Sequence, residues 1–173
     1  IFAVGDGTGV FHYDGKTWSA SLPPTPATPN LWTVWGSASD DVFATGTDGI
    51  IVHFDGKNWS KMDSGTKEWL MSLWGSAPNN VYASGTSGTI LHYDGKTWSK
   101  MDSGGTADVN SIWGSGPKDI FAVCDMGKIL HYDGESWTRM DSGTANGLFG
   151  IYGTSGSDVF VSGESGMLLH YDG

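Results

Sequence analysis

Five histidines, 19 acidic residues and one cysteine are the side chains here with the most obvious chemistry to offer. The histidines stand at His12, His53, His92, His131 and His170, each followed by an aromatic residue and Asp-Gly. Five imidazoles invite a metal reading, but zinc needs several ligands within about 2.3 Å of one point. One histidine per recurring unit sets the copies apart, so each is read as a strand-face residue that hydrogen-bonds locally. A second group of acids, Asp6, Asp48, Asp125 and Glu164, falls in a loop rather than beside the histidines. Such acids suit two chemistries. One is a Ca²⁺ site of six to eight oxygens, the other an acid–base pair with carboxyls roughly 5–9.5 Å apart. No EF-hand spacing or Asp-x-Asp cluster accompanies them. Cys124 replaces a glycine that recurs as Gly46, Gly85 and Gly163. No unique histidine partners it, so it reads as a small buried residue rather than a nucleophile. The Gly-rich stretches precede no helix, which argues against a phosphate-cradling loop.

The elements that must hold these residues repeat. The His-aromatic-Asp-Gly marker recurs at intervals of 41, 39, 39 and 39 residues. A fixed period in this range denotes a solenoid, a propeller or an array. Each period carries four strand-like pieces. They are exemplified by Leu70 to Ser76, Asn80 to Gly85, Thr89 to Tyr93, and a piece opening at Trp98. An Asp-Gly turn, expected to take positive φ at both central residues, joins the third piece to the fourth. Helical solenoids would need apolar spacings of three and four, and a β-helix would need shorter coils. Four antiparallel strands per ~40 residues is the signature of a propeller blade. The fold class is therefore all-β, a β-propeller whose blade-like units span residues 1–21, 31–62, 70–101, 109–140 and 148–173. The tally predicts four first, five second, five third and four fourth strands. That excess leads to the expectation of a larger ring, completed either by additional chain or by a homo-oligomer. The start at Ile1 rather than Met fits a processed or excised product.

The motifs Trp74-Gly75-Ser76, Asn80-Val81-Tyr82-Ala83, Leu91-His92-Tyr93-Asp94-Gly95 and Lys96-Thr97-Trp98 resemble a bacterial family of β-propeller repeats. Those repeats are common in secreted or lipid-anchored proteins, mostly uncharacterised, and the resemblance implies an extracellular or periplasmic location. Asp94-Gly95-Lys96-Thr97-Trp98 is also similar to the Asp-box turn of sialidases and of photosystem-assembly propellers. The residue between Asp and Gly is missing here, so a sialidase reading is not adopted.

Subtracting what recurs separates scaffold from candidate site. Trp18, Trp59, Trp98 and Trp137, with Trp35, Trp74 and Trp113, are assigned to packing between sheets. Asp14, Asp55, Asp94, Asp133 and Asp172 are turn formers, as are Asp41, Asn80, Asp119 and Asp158, and Asp63, Asp102 and Asp141. Met62, Met101 and Met140 are apolar filler. The loop from a fourth strand to the next first strand is where the copies differ most. It reads as a proline-rich run from Ser21 to Asn30, then Lys67-Glu68-Trp69, Thr106-Ala107-Asp108 and Ala145-Asn146-Gly147. Just inside it one slot varies as Trp32, Met71, Asn110 and Phe149. By analogy with the fold, this loop shares a face with the acid-bearing loop. Trp32, Trp69, Met71, Asn110 and Phe149, with Asp6, Asp48, Asp125 and Glu164, are the candidate ligand-binding residues.

Composition narrows the partners. A net charge of −10 repels phosphate backbones and anionic lipid, so no nucleic acid is expected. No apolar run approaches the ~20 residues of a membrane span. No cofactor is expected, Ca²⁺ being the one ion the loop acids would suit. The expected function is a non-enzymatic binding module presenting a loop face to a glycan or protein. The alternatives are a polysaccharide-acting enzyme that uses the loop acids and a structural subunit of a surface assembly.

Overall fold

The computed structural model describes residues 1–5, 9–21 and 30–173. Asp6 and the prolines of the first long loop lie outside them. The described residues form five antiparallel sheets in which consecutive strands are neighbours. The first holds β1 (Phe2–Gly5), β2 (Gly9–Tyr13) and β3 (Trp18–Ala20). The second holds β4 (Leu31–Ala38), β5 (Asp41–Gly46), β6 (Ile51–Phe54) and β7 (Trp59–Met62). The third runs through β8 (Leu70–Ala77), β9 (Asn80–Gly85), β10 (Ile90–Tyr93) and β11 (Trp98–Met101). The fourth repeats this with β12 (Val109–Gly116), β13 (Asp119–Cys124), β14 (Ile129–Tyr132) and β15 (Trp137–Met140). The fifth holds β16 (Leu148–Ser155), β17 (Asp158–Gly163) and β18 (Leu168–Tyr171). Each sheet is the four-stranded meander of a propeller blade or three strands of one.

Period-2 alternation sets what each sheet buries. In the second sheet Phe43, Ile51 and His53 share one face, because Phe43 pairs with His53 and Thr45 with Ile51. That face meets Val81, Leu91, Tyr93 and Trp98 of the third sheet in one apolar cluster. The first strands stand side by side, β4 beside β8, β8 beside β12 and β12 beside β16, so they line the inner side of the assembly. Their closest contact explains a recurring dipeptide. An added Cβ on Gly75 would sit 2.6 Å from the ring tip of Trp35, and one on Gly114 would sit 2.7 Å from Trp74. Trp-Gly is thus both halves of one joint: the indole of one sheet lies on the glycine of the next.

The histidines are scaffold, and their partners differ from the turn assignment made above. His53 Nε2 lies 2.7 Å from Asp41 Oδ1, His131 2.7 Å from Asp119, and His170 2.8 Å from Asp158. The second carboxylate oxygen accepts a hydroxyl: Ser37 for Asp41, Ser115 for Asp119 and Thr154 for Asp158. In the third sheet Asn80 stands in, 2.6 Å from His92 and donating to Ser76 at 2.7 Å. Asp41, Asn80, Asp119 and Asp158 are therefore ties across three strands, not local turn formers. Serine here bonds the carboxylate and not the imidazole, so the order is wrong for a serine–histidine nucleophile.

The Asp-Gly turns also correct an expectation. Only the glycine is left-handed, with φ +94° at Gly95. Asp94 instead accepts the N–H groups of Lys96 and Thr97, each at 2.8 Å. Those donated hydrogen bonds hold its carboxyl below the ordinary value of 3.8. Asp63, Asp102 and Asp141 form shorter turns onto Gly65, Gly104 and Gly143.

Candidate functional site

The site begins at a defect in the sheets. Each first strand carries one extra residue near its start, since Leu31 pairs with Gly46 but Thr33 with Thr45. The residue passed over is Trp32. The same irregularity falls at Met71, Asn110 and Phe149. These are the four slot residues that vary most between copies. A β-bulge bends the strand and re-aims the side chain at the bulge, which is why bulges cluster beside binding sites.

In the second to fifth sheets a backbone hydrogen bond welds the two variable loops. Thr47 N–H donates to Asn30 O, Thr86 to Trp69, Asp125 to Asp108 and Glu164 to Gly147, at 2.9–3.1 Å. Both loops therefore form one rim. The close approach requires a small residue at the end of the second strand: an added Cβ at Gly46 or Gly85 would lie 1.8 Å from a carbonyl oxygen. Cys124 occupies the equivalent place in ordinary extended geometry, with φ −131° and ψ 171°. It is buried, and burial pushes its thiol up to about 12, so it remains a thiol.

Trp32 and Trp69 come from adjacent sheets and meet edge to face, ring centroids 5.1 Å apart at 83°. They are 39% and 47% exposed, and Phe149 is 53% exposed. The candidate residues that project apolar surface are thus Trp32, Trp69 and Phe149, with Met71 half-buried between them in the order of the sheets. Met126, absent from the expected set, joins them at 58% exposure. It sits at φ +58°, in the slot held by Asp48, Ser87 and Ser165 in the other copies. A left-handed residue other than Gly, Asn or Asp costs backbone energy. A methionine in a column of small turn formers was the available signal.

The polar members divide. Asn110 donates to Asp125 Oδ1 at 2.8 Å and to Leu148 O of the next sheet at 2.9 Å, so it serves as a tie between sheets. Glu164 accepts Gly147 N–H at 3.1 Å. Asp48 is the left-handed residue of its turn and does not occupy the position of Asp125 and Glu164. The loop acids are therefore not equivalent. Among the described residues no three His, Cys, Asp or Glu side chains converge on a metal-sized point. Glu68, also absent from the expected set, accepts Thr86 and Ser87 hydroxyls at 2.8 and 3.0 Å. Those bonds hold its carboxyl below 4.5, beside the exposed tryptophan pair. Asp108 accepts Ser87 N–H at 2.8 Å, tying the third sheet to the fourth. The rim is thus an aromatic and methionine strip set among carboxylates.

No family model and no curated protein matches the chain. Solved structures do. A structure titled "YCF48 bound to D1 peptide" superposes with a TM-score of 0.73 at 17% identity, over 99% of this chain and 63% of that one. YCF48 from Cyanidioschyzon merolae gives 0.72 at 15% identity, over 94% and 62%. A chain of the COPII outer coat vertex on membranes gives 0.71 at 14% identity, over 96% and 53%. The chain thus spans 63% or less of the length of these matches. They are of propeller type, and the fold of this chain is an all-β propeller-type repeat.

Proposed function

We propose that this propeller is a protein-interaction module that binds an extended protein segment across the rim, with Trp32 and Trp69 as its aromatic anchor. The observation that carries the reading is this pair: two exposed indoles, from different sheets, held edge to face at a bulge and a loop end. Rigid aromatic surface ringed by polar groups is what binding hot spots are made of. The acids around it favour a segment bearing Lys or Arg, drawn by charge and able to lie over an indole face. Support also comes from the similar structures, one with a bound peptide and another in a protein coat. In this reading the module works outside the cytoplasm, as its resemblance to secreted repeats implies.

A peptide-display selection against the folded chain tests the proposal. Selected peptides should carry basic residues and lose at least about 2 kcal/mol of affinity to Trp32→Ala or Trp69→Ala chains, the scale of a hot-spot residue. Selection of neutral peptides indifferent to both substitutions would refute it. The same indoles could stack on a sugar ring. A glycan array in which binding depends on Trp32 and Trp69, with no peptide selected, would move the ligand class from protein to glycan.

A further inference from the structure

The joints between sheets are built alike, so a joint that breaks the repeat is informative. The one between the third and fourth sheets, each of four strands, breaks it at five positions. Gly105 stands where the loops after the second and fourth sheets have Thr66 and Thr144, and Ala107 where they have Glu68 and Asn146. Cys124 stands where the second, third and fifth sheets carry Gly46, Gly85 and Gly163, and Lys128 where they carry Ile50, Thr89 and Met167. Arg139 replaces the Lys61 and Lys100 of the second and third sheets. All five residues line one cavity of about 140 Å³.

These changes open the cavity and charge it. Thr66 and Thr144 each accept an amide N–H, from Glu68 and Asn146, at 3.1 Å. Gly105 has no hydroxyl to offer, so Ala107 N–H lacks that acceptor. A Cβ added at Gly105 would lie 3.7 Å from Lys128 Nζ, so the ammonium stands beside the space a threonine would fill. Arg139 pairs with Leu130 across β14 and β15, and Lys128 and Trp137 lie two residues before them. All four side chains therefore share the face that Leu130 turns to the third sheet. Val109, Cys124 and Leu130 are buried and form the apolar wall. The acids nearby are already engaged. Asp125 accepts Asn110, Asp108 accepts Ser87 N–H and Asp102 accepts Gly104 N–H. Among the described residues neither Lys128 nor Arg139 has an ion-pair partner.

We infer that this cavity binds a small organic carboxylate, its apolar body against Val109, Cys124 and Leu130 and its charge between Lys128 and Arg139. An apolar cavity of ~150 Å³ accepts benzene, so the body is limited to about one six-membered ring. The apolar wall favours an organic body over an inorganic anion. The chain's net charge of −10 opposes anions at long range, which favours a single negative charge over a doubly charged phosphate. The site shares no residue with the aromatic strip of the rim and does not depend on the function proposed above.

The test is an NMR titration of the intact 173-residue chain with benzoate, beside benzyl alcohol as its neutral counterpart and sulfate as an anion without an apolar body. Benzoate should give saturable amide shifts at Gly105, Ala107, Cys124 and Lys128. Lys128→Met installs the residue that the fifth sheet carries there. It should weaken benzoate roughly tenfold or more, the loss of one charged hydrogen-bond partner. Gly105→Thr should abolish binding by filling the cavity. The backbone at Gly105 is not left-handed and threonine stands there in two other copies, so the variant should fold. Benzyl alcohol or sulfate binding as tightly as benzoate would overturn the inference. So would unchanged binding in either folded variant, or no saturation of the parent chain at tens of millimolar benzoate.

Discussion

Gly114 and Gly116 lie two residues apart in β12, yet alanine should act on them with opposite sign. A Cβ at Gly114 would come within 2.7 and 2.8 Å of the Trp74 ring and 3.0 Å of Asp119 O. Neither the indole, wedged between sheets, nor the backbone carbonyl can retreat cheaply. Overpacking of this kind costs about 1–3 kcal/mol. At Gly116 nothing lies within 4 Å and φ is not left-handed. There alanine only restricts the unfolded chain and should stabilise by about 0.4–1 kcal/mol. Urea unfolding followed by tryptophan fluorescence measures both. A Tm shift of about 2–4 °C per kcal/mol gives the thermal counterpart for a domain of this size. The mechanism has a further requirement. Shrinking the ring with Trp74→Phe should relieve much of the Gly114→Ala penalty, so the double variant should couple by about 1 kcal/mol or more. Additive effects, or equal costs at the two glycines, would refute the claim that an indole seated on glycine is the joint between sheets.

Three other outcomes follow from the same geometry. Phe43→Ala, emptying a fully buried ring, should cost about 3–5 kcal/mol. The same denaturation assay reads that loss. Met126→Gly should stabilise by about 1 kcal/mol, because relief of the left-handed strain (about 1–2 kcal/mol) exceeds glycine's entropy cost (about 0.5–1 kcal/mol), while rim binding weakens. His92 titrates below 6.5 because burial disfavours its charged form. Its contribution to stability is therefore present above that value and is lost as pH falls through the lowered one. Asn80→Asp places a carboxylate at the imidazole and should raise the His92 pKa above its value in the parent chain, so that less stability is lost as pH falls below 6.5. Histidine NMR titration of the two chains reads the shift directly.

Much of the scaffold was legible because it is written several times. Recurrence at a period near 39 residues identified the strands and their order and assigned the histidines and most tryptophans to packing. What recurrence could not show was which residues touch across strands. Asp41 and His53 are 12 positions apart and meet only because β5 and β6 bring them level, so a local turn role for Asp41 was the natural reading. The slot at Trp32, Met71, Asn110 and Phe149 was visible as a column of variation, but its cause, a bulge, depends on pairing with the second strand. The contact of Trp32 with Trp69 depends on how two sheets pack. The loop acids looked alike in sequence because Asp48 and Asp125 both fall in the short loop after the second strand, yet they occupy different turn positions.

The central claim is that recurring residues build the propeller and the variable rim residues bind its partner. Paired measurement of stability and peptide affinity for alanine variants at Trp32, Trp69, Met126 and Phe149, beside Phe43, Val81 and Leu91, tests it most directly. The account predicts that the four rim variants stay within about 1 kcal/mol of the parent in stability and lose affinity, while the three core variants lose stability. Rim variants that unfold the chain, or that keep full affinity while folded, would contradict it.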